Sequence, residues 1–201
     1  MNNTSLVVTN MPTNVMAMTN LVYMNPIDAD RLPRRGPVAD VLICVDRYLF
    51  TVQSDPSVEV GKIALNAIQR RASQLSSVKP DVIDLSSAVF RTTISRRIKH
   101  CLVKVGYMLR RNDGALDCHR FLQSFRRSFV GQFFVEGQVV AMAFEGRPYC
   151  AVFSEIVASE SLPHEDSVPF AALEPQSEIV LQATEASEIT IVDHPIACVD
   201  E

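Results

Sequence analysis

No stretch of this 201-residue sequence reaches the roughly 18 uninterrupted apolar residues of a membrane-spanning helix. The most apolar run, residues 129–144, is cut by Gln132, Glu136 and Gln138. The opening Met-Asn-Asn-Thr has neither the basic start nor the apolar stretch of a secretory signal, so a cytoplasmic location without membrane insertion is expected. Cysteine is sparse and scattered. Cys44, Cys101, Cys118, Cys150 and Cys198 are odd in number and form no C-x-x-C pair, which argues against both a disulfide framework and a zinc site. Catalytic signatures are missing too. The Gly-Lys of a phosphate-binding loop occurs once, at Gly61-Lys62, but Ile63 follows it and Pro56 stands where the first glycine belongs. There is no G-x-G-x-x-G, G-x-S-x-G or H-E-x-x-H, and no Asp-Thr-Gly loop of a barrel protease. Asp117-Cys118-His119 juxtaposes a thiol and an imidazole, yet neighbours on a helix point about 100° apart and do not face each other. We therefore expect a non-catalytic chain with no cofactor and no metal of its own.

What is present is an ordinary folding composition, 47% hydrophobic and 21% charged, sufficient to offset the entropy of ordering the chain. The net charge of −4 conceals a strong asymmetry. Residues 1–87 carry eight basic and eight acidic side chains, residues 88–127 ten basic and two acidic, and residues 128–201 one basic and thirteen acidic. Such a basic middle either forms a patch for an anionic partner or faces the acidic third of the same fold. Nucleic acid is a poor candidate for that partner, because no aromatic residues interleave with the arginines and the flanks are acidic.

The pattern of apolar residues predicts two units. In the first, short β-rich runs cover residues 5–9, 15–23, 38–45, 48–53, 58–65 and 82–85, with one small helix over 68–75. Asp46-Arg47 is expected to close a hairpin, Asn25-Pro26 to end a strand, and 28–37 to be a loop. Closely spaced short strands of this kind suggest a compact barrel. In the second unit, 101–109 reads as a strand and Asn112-Asp113-Gly114 as a turn. Residues 116–129 form the main helix, with Leu116, Phe121, Leu122, Phe125 and Phe129 at helical spacing. Strands follow at 138–144, 147–155, 178–183 and 188–192, with Glu145-Gly146 as a hairpin turn and 159–176 as a loop. The boundary is expected between residues 87 and 88, giving units 1–87 and 88–193, with 194–201 as the start of a linker.

Paired arginines stand out from this background. Arg70-Arg71 falls in the small helix of the first unit, and Arg110-Arg111 ends the first strand of the second. Guanidinium groups hold carboxylates and phosphates bidentately and stay charged at every working pH. Two pairs from different units are suited to line one groove; the alternative is two separate solvated ends.

Several stretches together resemble the N-terminal domain of the N-ethylmaleimide-sensitive factor (NSF) family. They include Pro12-Thr13, Thr19-Asn20, Asp55-Pro56-Ser57-Val58, Gly61, Ile63-Ala64 and Gln69-Arg70-Arg71. The second half adds Phe121, Gln123, Phe125, then Phe134-Val135-x-Gly137-Gln138, Phe144 and Glu155-Ile156, so that the resemblance spans about residues 10–193. It implies a double-ψ β-barrel followed by a smaller α/β subdomain with one main helix, a mixed β and α+β fold. It also implies docking of SNAP adaptors bound to SNARE complexes, for SNARE disassembly in vesicle fusion and protein transport. The family's ATP and Mg2+ belong to two ATPase domains absent from this sequence. The parent is expected to be a homo-hexamer peripheral to vesicle membranes, and this chain an excised, monomeric domain of it. By position, the family's adaptor-binding basic residues fall on Arg70, Arg71, Arg110 and Arg111. A third basic position is occupied by Asn10-Met11, and Lys104 is the candidate to replace it. The related valosin-containing-protein family, whose N domain docks ubiquitin-linked adaptors, is the alternative.

Overall fold

A computed structural model describes residues 5–32, 41–76, 81–85, 96–108, 114–159, 170–185, 187 and 189–192. The first unit is built from β1 (Ser5–Thr9), α1 (Asn14–Ala17), β2 (Val22–Met24), α2 (Pro26–Ala29), β3 (Leu42–Val45), β4 (Tyr48–Ser54), β5 (Lys62–Ala64), α3 (Ala67–Ala72) and β6 (Val82–Asp84). Its six strands lie in the order β3-β4-β2-β5-β1-β6. Two contacts are parallel, β1 with β5 and β2 with β4, and the remaining three are antiparallel. Parallel neighbours cannot be joined by a tight turn. The chain between β2 and β4 therefore crosses over, and β5 then inserts between β1 and β2. Interleaved crossovers of this kind give the nearly closed barrel of the expected double-ψ type.

One local expectation holds only in part, for an identifiable reason. Of the run 15–23 only its end is strand, in β2; its start is not, because Thr13 caps a helical turn by accepting a hydrogen bond from the Met16 N–H, leaving Val15 80% exposed. Apolar content there does not mean burial. Asn25-Pro26 closes β2 as expected and at once starts α2: the Asn25 side chain accepts from Ile27 N–H and Pro26 occupies the first helical turn, where its missing N–H costs nothing. The Asp46-Arg47 hairpin forms as expected, with Asp46 in the left-handed region at φ 54°.

Two buried polar groups tie the barrel's ends together. Asp28 is 1% exposed, accepts from the Gly61 N–H at 2.6 Å and pairs with Arg31 at 3.3 Å. At the start of α3, Asn66 and Gln69 cap each other: the Asn66 side chain accepts from Gln69 N–H, and the Gln69 side chain accepts from Asn66 N–H. Their amide NH2 groups then donate to the carbonyls of Ala17, Thr19 and Leu21, fixing α3 against the α1–β2 connection.

The second unit comprises β7 (Ile98–Tyr107), β8 (Gly114–Asp117), α4 (Cys118–Phe129), β9 (Phe133–Phe134), β10 (Val139–Phe144), β11 (Arg147–Ala158), β12 (Ala171–Ala172), β13 (Glu178–Ala183) and β14 (Ile189–Val192). Its main sheet has the order β10-β11-β7-β13, with β13 parallel to β7. Glu145 and Gly146 turn between β10 and β11 with φ 50° and 74°, the positive values that a two-residue hairpin needs. The main helix starts two residues later than its apolar spacing predicts, because the Asp117 side chain caps it by accepting from Arg120 N–H. Leu116 is still buried in the same core, but from strand β8. Gly114 likewise belongs to that strand, and β12 lies within the region expected as a loop.

Phe121, Phe125 and Phe129 recur every fourth residue and are wholly buried. They meet Phe144, Tyr149, Phe153 and Phe134 at ring-centroid distances of 5.3 to 6.0 Å, and Phe134 stacks on Phe153 at 4.2 Å within the same aromatic cluster. The two cores meet at one strand. Phe134 enters this aromatic core, whereas Val135, the next residue, packs into the barrel core with Phe170. Alternation along an extended chain sends neighbours to opposite sides. Gln138 reinforces the junction by donating to the Asn20 side chain at 3.3 Å and accepting from Val135 N–H. The expected order, barrel then α/β unit with one main helix, is the order observed. The expected boundary at 87/88 and the segment 194–201 lie outside the described residues.

Candidate functional site

The short helix α3 delivers Arg70 and Arg71 in its last turn, where the helix dipole favours cations. Arg71 is exposed and Arg70 half-buried, with its Nε enclosed and making no hydrogen bond. The helix packs against β10. On that strand Val140, Met142 and Phe144 face the aromatic core, so Val139, Ala141 and Ala143 alternate to the other side of the sheet. Ala141 is nonetheless 2% exposed, which marks this second side as covered beside the barrel.

Lys104 lies on the same side of the sheet. Its neighbours on β7, Val103 and Val105, are core residues, and Lys104 points away from them. In register it stands opposite Val152 on β11, which stands opposite Val139 on β10, and Gln182 flanks it on β13. Gln182, Lys104, Val152 and Val139 thus form one row across the sheet leading toward the strand on which α3 packs. Strands lie about 4.8 Å apart, so Lys104 is about 10 Å from the β10 end of that row. Sequence reading identified the cations but not Val152, Val139 and Gln182; their signal was the alternation of β7, β10 and β11 once the pairing is known. Arg110 and Arg111 lie outside the described residues, three and four positions beyond the end of β7.

The structure also divides the basic stretch. Some of its members are used within the fold: Arg97 pairs with Glu174 at 3.6 Å and Arg120 with Glu145 at 2.7 Å. Arg126 donates to the carbonyls of Pro175 and Ser177, both at 2.7 Å. To this extent the basic middle does face the acidic third. Arg70, Arg71 and Lys104 differ in having no acidic partner among the described residues, and so do Lys99 and Arg127. No group of three or more His, Cys, Asp or Glu among the described residues is placed to hold a metal ion, and no described helix is long and apolar enough to cross a membrane.

No family model matches the chain. A curated relative does: the vesicle-fusing ATPase of Arabidopsis thaliana is 26% identical over 198 residues, covering 94% of this chain and 25% of that protein. The chain thus spans about a quarter of the length of the relative it matches. Barrel, helix-covered sheet and sequence point the same way, and over nearly its whole length the chain is similar to the vesicle-fusing ATPases, the NSF family that its residues resemble.

Proposed function

We propose that this chain is the adaptor-docking N domain of an NSF-type AAA+ ATPase. Arg70, Arg71 and Lys104, together with Arg110 and Arg111, receive the acidic end of a SNAP adaptor bound to a SNARE complex. The observation that carries this reading is the absence, among the described residues, of acidic partners for Arg70, Arg71 and Lys104, while Arg97 and Arg120 are paired with Glu174 and Glu145 within the fold. A cation with no internal partner keeps its full attraction for an incoming carboxylate. Charges of this kind set association rate and register, and salt weakens them steeply. The row from Lys104 to Val139 supplies an apolar stripe between the cationic ends, against which an adaptor helix can rest. The chain itself performs no chemistry in this scheme. ATP and Mg2+ act in ATPase domains beyond it, in a hexameric parent held at vesicle membranes through its adaptors.

The test is binding of the chain to a SNAP-type adaptor, free and assembled on a SNARE bundle, at low and high salt. Binding that strengthens on the bundle and falls with salt is expected. Arg70→Glu combined with Arg111→Glu is expected to abolish it while the circular dichroism spectrum stays unchanged. Unchanged affinity in that double variant overturns the assignment of the site. Affinity for a ubiquitin-like adaptor domain, with none for a SNAP, moves the reading to the valosin-containing-protein type.

A further inference from the structure

Four amide side chains form a buried path between the two units. Asn20, Asn66, Gln69 and Gln138 are each no more than 5% exposed. Asn66 and Gln69, at the start of α3, donate to the carbonyls of Ala17, Thr19 and Leu21 at 3.0 to 3.1 Å, which clamps that segment to the helix. The clamped segment carries Asn20. Its Oδ1 accepts from the Gln138 Nε2 at 3.3 Å, a bond between residues 118 positions apart in the sequence. Gln138 in turn is fixed in the second unit. Its Oε1 accepts from the Val135 N–H at 3.1 Å, and its backbone carbonyl accepts from the Phe153 N–H at 3.0 Å. Asn20 takes part through its oxygen alone, since its Nδ2 makes no hydrogen bond.

Both ends of this path adjoin the docking surface. Gln69 is followed directly by Arg70 and Arg71 on α3. Gln138 is followed directly by Val139, the β10 end of the row that leads to Lys104. The cations thus stand on different units, and the amides connect the two elements that carry them. Apolar contact alone resists separation but permits sliding, because it has no direction. Hydrogen bonds are directional, and a buried amide that loses its partner is destabilising, so each bond of the path resists a shift of one unit along the other.

We propose that Asn20 and Gln138 are positioning residues of the docking surface: their bond holds the two units at the spacing at which Arg70 and Arg71 on one, and Lys104 on the other, engage a single acidic adaptor together. The proposal rests on the adaptor reading. Neither amide touches the adaptor, since both are buried. A surface divided between two units binds best where its parts are in register before the partner arrives. Otherwise the ordering of one unit against the other opposes binding. The link between Asn20 and Gln138 is a single hydrogen bond, so one substitution on either side removes it.

The experiment compares the whole chain with Asn20→Leu and Gln138→Leu, which remove the bond with little change in side-chain size. Affinity for a SNAP-type adaptor on a SNARE bundle is measured across a range of salt, and residual dipolar couplings of the free chain report how the units are oriented. Loss of the link is expected to weaken binding by about three- to tenfold and to make its salt dependence shallower, because fewer cations then engage at once. A variant that only lowered the folded fraction would keep the parent's salt dependence. The couplings of each variant are expected to need separate alignment frames for the barrel and the second unit, where the parent fits one. Arg70→Glu is expected to weaken binding yet keep the single frame, which separates contact from positioning. Asn20→Leu leaves the bond between Gln138 and Val135 intact, so it tests the link even where Gln138→Leu does not fold. Parent-like affinity, parent-like salt dependence or a single frame in Asn20→Leu overturns the proposal while the adaptor reading stands. No binding by the parent chain overturns the adaptor reading, and the proposal with it.

Discussion

The barrel and the sheet beside it solve the same problem with different means. The barrel core is mainly aliphatic, from Leu6, Val22, Ile43, Leu49 and Ile63, on strands of three to seven residues. Short strands leave many connections, and these are held by buried side-chain polar groups: Asp28 on Gly61, Asn66 and Gln69 on the carbonyls of residues 17–21. The second core rests on two long strands, of ten and twelve residues, and on one helix whose phenylalanines interlock with those of the sheet. There most of the backbone is satisfied by long ladders, shifted in register near Phe153 and Val157, and aromatic packing dominates the core. A fold of short strands and crossovers needs polar fasteners, whereas one of long strands needs shape.

This contrast can be broken from either side. The largest effect is expected from Phe125→Ala, which removes a ring that touches Phe121, Phe129 and Phe153 and leaves a cavity in a fully buried site. A loss of about 3–5 kcal/mol in urea unfolding is expected, and a loss below about 1 kcal/mol would mean that the aromatic core repacks freely. Next comes Asp28→Ala, which leaves the Gly61 N–H without its acceptor and Arg31 without its partner. About 1–3 kcal/mol is expected, and Asp28→Asn, which keeps an acceptor, is expected to lose less. If the two variants are equally destabilised, the charge rather than the hydrogen bond fastens the barrel.

A smaller effect sharpens the comparison through pH. Burial pushes the Cys101 thiol up to about 11, against the opposing pull of Arg126, whereas Cys44 in the barrel is only partly buried. In the folded chain Cys101 keeps its proton to about pH 11, while the unfolded chain releases it near its ordinary value of 9.0. The stabilisation is therefore complete below about pH 9 and is lost as pH rises from there to about 11. Denaturant midpoints measured across that window are expected to fall for the parent chain and to fall less for Cys101→Val. Identical slopes would show that the alkaline weakness lies elsewhere, for instance at Tyr149, which burial and Tyr107 push up to about 12.

Much of the second region was legible in the sequence because its elements are long. Phe121, Phe125 and Phe129 display their period openly, and the strands from Val139 onward alternate. The barrel was legible as a class but not in its parts. Its strands are too short to show a period, and single caps decide between helix and strand: Thr13 turned the start of an apolar run into a helical turn, and Asn25-Pro26 both closes β2 and opens a helix. The residues that carried the family resemblance proved informative in another way. Gln69, Asn20, Gly137 and Gln138 hold α3 and the junction in place; they are scaffold rather than contact surface. The cations were visible by type, but which of them had internal partners was not, since Arg97 and Glu174 are 77 positions apart in the sequence and only folding brings them together.

The pairing of Phe134 with one core and Val135 with the other has a practical bearing on how the molecule can be divided. A fragment cut to hold the barrel strands alone would lose Val135 and Phe170, and would present their vacated places to water as a sticky apolar face. A fragment holding only the second region would carry Val135 outward with nothing to cover it. The two regions therefore behave as co-owners of a wall, and a shift of either one must be felt by the other at that wall.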